Sequence, residues 1–200
     1  KIDIKNHRMT EKYPVYYQAN AIGSYLNMTF DKVTSGLKDV NTIRFDTYNQ
    51  LSYAARLFRV LNVTPSVGTE QTYYSRNRWG DTNLVRGALI TGVNNNTKFY
   101  KVYDVESSLM GMEINKIRHI ITPSANFYHI HQPTISPDNL HQFDYIDALD
   151  TANGIVLAIE NKFQTKRKQG EDLKSVDLVN LIVSSDYMFR LKDDDVAYKS

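Results

Sequence analysis

The 200-residue chain has no cysteine, so it holds neither a disulfide nor a thiolate metal site. It also has almost no net charge. Its 24 basic residues stand against 22 acidic ones, and nucleic-acid binding, which depends on phosphate neutralisation, has no electrostatic support. No run approaches the about 18–20 consecutive apolar residues of a membrane-spanning helix. There is no Ser-His-Asp arrangement, P-loop or glycine-rich phosphate cradle, so nothing points to an enzyme or calls for a cofactor. The chain begins at Lys1 with no signal peptide, and is expected to be part of a longer protein.

What the sequence does have is alternation. Hydrophobic residues make up 42% and tyrosine alone numbers 14, a combination expected of a transmembrane β-barrel, in which half of each strand faces a wet lumen. The clearest case is the pair of segments 117–128 and 153–166, joined by a polar loop. In the second segment Ile155, Leu157, Ile159 and Phe163 fall on one face, while Ala158, Glu160, Lys162, Gln164 and Lys166 fall on the other. The apolar set fills the about 9–11 residues that a transmembrane strand needs. Ile155, Leu157, Ile159 and Phe163 are therefore expected to face lipid, and Glu160, Lys162 and Gln164 the lumen. Asn161 interrupts the apolar face once.

The same plan recurs along the chain. Residues 1–12 are polar without a sustained period and read as a linker or loop, and residues 13–200 as one barrel region. A first strand is expected over 13–30. A second, over 42–57, sets Ile43, Phe45, Leu51 and Tyr53 against Arg44, Asp46 and Gln50, the latter three facing the lumen. A tight connection at Phe58-Arg59 leads to a third strand from Leu61. A fourth strand of weaker pattern is expected over 85–103, followed by the pair above and a seventh over 173–190. The connections at 31–41, 75–84 and 131–152 are on average longer than those at 58–60, 104–113 and 167–172, which places the first set outside the cell. Closed bacterial barrels have an even number of strands, about 8 at the least, so a chain of about seven is expected to be a segment of a larger barrel.

In the hairpin, Arg118-His119 is followed by an apolar pair and Pro123, then by a loop with Phe143-Asp144 and a strand opening with Ala152-Asn153-Gly154. This set resembles the C-terminal region of the LptD (OstA) family, the lipopolysaccharide-assembly proteins of the bacterial outer membrane. The resemblance implies an outer-membrane location and a non-enzymatic translocon that inserts lipopolysaccharide into the outer leaflet. It also implies two partners, an LptE-like lipoprotein plug and an LptA-like periplasmic bridge protein docking on a domain outside this chain. Two other classes fit the alternation: a porin or receptor-type barrel for small solutes, and a soluble glycan-binding β-sandwich whose apolar face is buried in a core.

Four features invite a functional reading. His129 and His131 share a strand face and could ligate a metal with His141 or Asp138, but the set is incomplete and solvated histidines fit it better. Asp138, Asp144, Asp147 and Asp150 crowd one loop, where loop solubility accounts for them more simply than catalysis or a divalent bridge to phosphates. Pro65 and Pro123 each remove one ladder donor. A bulge or local bend accounts for them better than a seam through which lipid leaves. Arg118 and His119 are expected to serve packing rather than chemistry.

Overall fold

The structure, a computed structural model, describes residues 1–30, 39–107, 114–169 and 172–189. Ten strand segments form one antiparallel sheet: β1 (Ile2–Arg8), β2 (Val15–Met28), β3 (Val40–Tyr53), β4 (Ala55–Leu57), β5 (Leu61–Arg76), β6 (Thr82–Thr97), β7 (Phe99–Ser107), β8 (Ile114–Ile130), β9 (Ala152–Gln169) and β10 (Asp172–Met188). Their spatial order is β1-β2-β3-β5-β6-β8-β9-β10, with β4 also on β5 and β7 also on β8. Among the described residues there is no α-helix, hence none able to cross a membrane. β1 and β10 do not pair with each other, so the all-β antiparallel expectation holds while the described sheet is open.

The two strand breaks have one cause. The β3–β5 ladder runs to Ser52↔Ser66 and resumes at Ala55↔Val63 in the same register, and the gap at Ala54 faces Pro65 and its neighbour. Likewise Asn96↔Ser124 resumes at Phe99↔Ile121, and the gap at Lys98 faces Thr122-Pro123. A proline has no N–H to give the neighbouring strand, and in both places it interrupts the ladder without shifting it. The expected bulge or local bend is corrected to an in-register break, since no residue is added at either proline. β3–β4 and β6–β7 are each one strand, and the ten segments reduce to eight strands joined in sequence.

Most expected strands reappear with longer bounds. The loop expected at 75–84 shrinks to the five-residue turn 77–81. Gly80 takes φ 97° there, and Asn77 Oδ1 accepts from the Trp79 and Asp81 amides at 2.9 and 2.8 Å. Phe58 and Arg59 both take positive φ, 49° and 63°, within the three-residue connection 58–60, where the Val60 amide donates to the Leu57 carbonyl at 3.1 Å. The connections at 31–41, 104–113 and 167–172 lie partly outside the described residues. What is described of them is largely strand, since β7 runs to Ser107, β9 to Gln169 and β10 starts at Asp172. The linker expected at 1–12 is corrected: Ile2–Arg8 pairs with β2 from Ile2↔Ala21 to Arg8↔Tyr16. Its polar composition, with Asp3, Lys5, Asn6, His7 and Arg8 in seven residues, concealed it.

No register shift occurs in the ladders from β2 through β3, β5, β6 and β8 to β9. Residues on one face of β3 therefore continue on the same face of every strand to β9. Arg44, Asp46, Gln50, Glu160, Lys162 and Gln164 share one face, and Ile155, Leu157, Ile159 and Phe163 share the other. In β10 an extra residue at Leu178 keeps the faces in phase, with Asp177 opposite Gln164 and Val179 opposite Phe163.

Polarity is inverted relative to a protein packed around an oily core. Thr42, Arg44, Asp46, Thr72 and Arg86 are buried on the polar face, whereas Phe45 is 50% exposed, Leu157 50% and Ile159 48% on the apolar face. Gly154 matters for close packing at the start of β9. A Cβ there would lie 2.7 Å from Tyr128 Oη and 2.9 Å from the Tyr187 carbonyl oxygen. The ring can swing away, but the backbone cannot. Gly154→Ala is expected to cost about 1–3 kcal/mol in denaturant unfolding in detergent. Gly23→Ala, with nothing nearer than 3.7 Å, should be nearly neutral.

Candidate functional site

The most heavily bonded part of the molecule is where the loop 131–151 folds back onto the polar face of β3, β5 and β6. Its first residues continue beside β6. The His131 amide donates to the Leu89 carbonyl at 2.9 Å, the Thr134 amide to the Gly87 carbonyl at 2.9 Å, and the Gly87 amide to Thr134 Oγ1 at 2.9 Å. Ser136 then caps a short 3-10 turn, Pro137–Asn139, accepting from the Asp138 amide at 3.3 Å. Trp79 Nε1 donates to Asn139 Oδ1 at 3.1 Å, tying the loop to the 77–81 turn.

The anchor is ionic. Arg44 donates to both carboxylate oxygens of Asp144, at 2.9 and 2.6 Å, and its Nη1 also donates to Asp147 Oδ1 at 2.8 Å. Asp147 Oδ1 accepts from Tyr74 Oη at 2.9 Å, and Asp147 Oδ2 accepts from the Phe143 and Asp144 amides at 2.9 and 3.2 Å. Arg86 donates to the Asp147 and Ile146 carbonyls at 3.1 and 2.5 Å. Asp46 accepts from Thr72 Oγ1 at 2.6 Å beside them. The Arg44 and Asp147 side chains are 3% and 0% exposed, while Asp144 keeps 37%. Leu140 and Ile146 are buried under the same loop. Hydrogen bonding to Arg44 is the largest cause holding the Asp144 carboxyl below its usual range, and burial is the largest cause lowering the His141 imidazole.

Reading the four loop aspartates as solvation is therefore corrected for two of them. Asp144 and Asp147 fasten the loop to the sheet, and Arg44, expected on the polar face, is their partner. Arg86, Tyr74 and the buried role of Asp147 were missed. Arg86 shares Arg44's sheet face only through the registers of β3, β5 and β6, which no single segment discloses.

The motif residues separate. Arg118 stands on the polar face beside Gln164, whereas His119 is on the apolar face, stacked on Phe163 with ring centroids 4.2 Å apart. His119 Nε2 lies 3.3 Å from Asn161 Oδ1, so the residue that interrupts the apolar pattern has a polar partner there. Phe143-Asp144 belongs to the loop anchor. Ala152, Asn153 and Gly154 open β9, and the Asn153 carbonyl accepts from the Phe189 amide at 3.0 Å. His129 and His131 meet edge to face at 4.2 Å, and His131 Nε2 lies 3.4 Å from Thr91 Oγ1. Neither His141 nor Asp138 completes them, and among the described residues no group of three potential ligands gathers.

No protein-family model, curated protein or solved structure matches the chain.

Removing Arg44 leaves a buried carboxylate unpaired. Arg44→Met should weaken loop docking by about 3–5 kcal/mol and expose 131–151 to limited proteolysis, with strand content by circular dichroism unchanged. Asp144→Asn should do less, because that carboxylate is partly solvated.

Acid should release the loop in two steps. His141 has a lowered pKa when docked, so the undocked loop gains a proton first. Docking weakens as pH falls below about 6.5. Asp144 stabilises docking above about 3.9, and its contribution is lost as pH falls through its depressed value. Protease sensitivity measured against pH in wild type and His141→Asn checks both steps, since the variant should lose only the first.

Proposed function

We propose that the chain is part of the wall of a transmembrane β-barrel in the bacterial outer membrane, and that this barrel is a lipopolysaccharide-assembly translocon of the LptD type. The observation that carries the membrane reading is the inverted sheet, with ion pairs buried on one face and Phe45, Val67, Leu89, Phe127, Leu157 and Val183 exposed on the other. Soluble proteins rarely leave so large a contiguous apolar patch uncovered, and a sandwich would lay a second sheet over it. Among the described residues nothing covers it. Lipid satisfies such a face. Strands β5, β6, β8, β9 and β10, of 16–18 residues, exceed the about 9–11 needed to cross, leaving length for the rims.

Backbone groups on the free edges of β1 and β10 cannot stay unpaired in hydrocarbon, where each costs several kcal/mol. Further strands close the barrel on those edges. The lipopolysaccharide reading rests on the resemblance of Arg118, His119, Pro123, Phe143-Asp144 and Ala152-Asn153-Gly154 to the LptD family. It brings with it the LptE-like lipoprotein and the LptA-like bridge as partners. Its physical logic needs no catalysis, since acyl chains move into the bilayer while the charged saccharide follows a polar face. A porin for small solutes is the second reading. It is favoured by the docked loop, because a loop folded onto the lumen wall narrows a pore.

Two measurements test these levels separately. Leu157→Arg should cost about 2–4 kcal/mol of folding free energy in bilayers if Leu157 lies near the midplane, and Ala158→Arg much less. Equal costs would remove the membrane reading. Depleting the whole protein should leave new lipopolysaccharide in the inner membrane and periplasm with solute uptake unchanged. Normal surface lipopolysaccharide with loss of uptake of one nutrient would establish the porin instead.

A further inference from the structure

The cations of the polar face are matched unevenly. At the end where the loop docks, Arg44 and Arg86 are consumed by Asp144, Asp147 and the Ile146 and Asp147 carbonyls. Toward the other end, Lys162 has Glu160 at 3.2 Å and Asp177 at 3.8 Å, and Lys116 has Asp104 at 3.1 Å. Gln164 donates to Asp177 at 2.7 Å. Arg118 and Lys166 have no hydrogen-bond or carboxylate partner among the described residues.

These two are neighbours. Arg118 lies opposite Gln164 and Lys166 opposite Ser175, so the guanidinium and the ammonium sit on one face at diagonal positions of adjacent strands. Like charges so placed repel unless something lies between them. A cavity of about 170 Å³ opens there, lined by Val102, Lys116, Arg118, Gln164, Lys166 and Ser175. Its wall thus offers a planar fork of donors, one unpaired ammonium group beside the Asp104-paired Lys116, a hydroxyl and one apolar side. Sites for whole drug-sized ligands run about 300–1,000 Å³, so this one suits a head group rather than a complete lipid.

We infer that this cavity binds a phosphate monoester, with Arg118 taking two phosphate oxygens as a fork and Lys166 neutralising the remaining charge. The fork geometry is what guanidinium supplies and ammonium does not, and Ser175 adds a donor for an ester or sugar oxygen. That the phosphate belongs to a saccharide moving along the polar face rests on the barrel reading above. The binding chemistry does not.

The full-length protein in detergent should be titrated calorimetrically with inorganic phosphate, glucose 1-phosphate and a short-chain phosphatidic acid, with glucose and a short-chain phosphatidylcholine as neutral controls. Saturable binding of a phosphomonoester is expected, weakened about tenfold by Arg118→Gln and again by Lys166→Gln. Arg44→Met, distant from the cavity, should leave it unchanged. Preference for glucose 1-phosphate assigns a glycan phosphate, preference for phosphatidic acid a lipid head group, and equal binding of inorganic phosphate the free anion. Both substituted side chains are solvent-facing, and unchanged thermal unfolding would show that the fold survives. No saturable binding by any of the three phosphates, or equal binding by the double variant, overturns the site. Failure of the translocon reading is separate: if depletion stops uptake of a solute while phosphate binding stands, the site belongs to a phosphorylated small solute.

Discussion

Side chains alternate across a strand with a period of two, and every consequence in this sheet depends on that parity surviving from one ladder to the next. It does so from β2 to β9 without a register shift, and in β10 the extra residue at Leu178 restores it. A single uncompensated slip would bring charged residues such as Lys162 onto the apolar face. The prolines are compatible with the same constraint because each removes a donor without adding a residue. The interruptions at Ala54 and Lys98 leave the faces in phase on both sides.

Fixed parity places charge where it has to be managed. Taking Arg44 and Asp147 out of water carries a desolvation penalty of several kcal/mol per ion, and the surrounding bonds offset it. Arg44 is divided between two carboxylates, Asp147 collects Tyr74 and two amides, and Arg86 uses the loop's own carbonyls. Such a cluster adds little net stability compared with an apolar replacement. What it supplies is selectivity of place. The loop can dock only where two arginines and a tyrosine converge, and losing one partner strands the others.

The two ends of the polar face differ in consequence. One is internally neutralised by a loop of the same chain, and at the other Arg118 and Lys166 have no carboxylate partner among the described residues. Polar side chains on the apolar face are partnered locally: His119 lies against Asn161 and is stacked on Phe163, and Tyr17, Asn49, Thr47 and Gln71 are hydrogen-bonded to one another across β2, β3 and β5. The described sheet thus has one apolar and one polar face, and the end of the polar face under the loop is internally neutralised.

The sequence by itself determined the strands and their faces, because alternation is local: Ile43 and Phe45 against Arg44 and Asp46, or Leu157 and Ile159 against Glu160 and Lys162, can be read without knowing any neighbour. It also marked the hairpin of β8 and β9 and the short turn at Phe58-Arg59. It did not disclose β1, whose polar edge composition resembles a linker, nor the reach of the strands past 75 and 84, where turn residues sit inside paired backbone. Only the tertiary structure decided that Asp144 and Asp147 are anchors rather than solvating groups. Their partners Arg44, Tyr74 and Arg86 lie about 60–100 positions away in the chain, and contacts at such separation leave no periodic trace. Ion pairing depends on where the ladders bring charges together, and that is set by the sum of all registers rather than by any one segment.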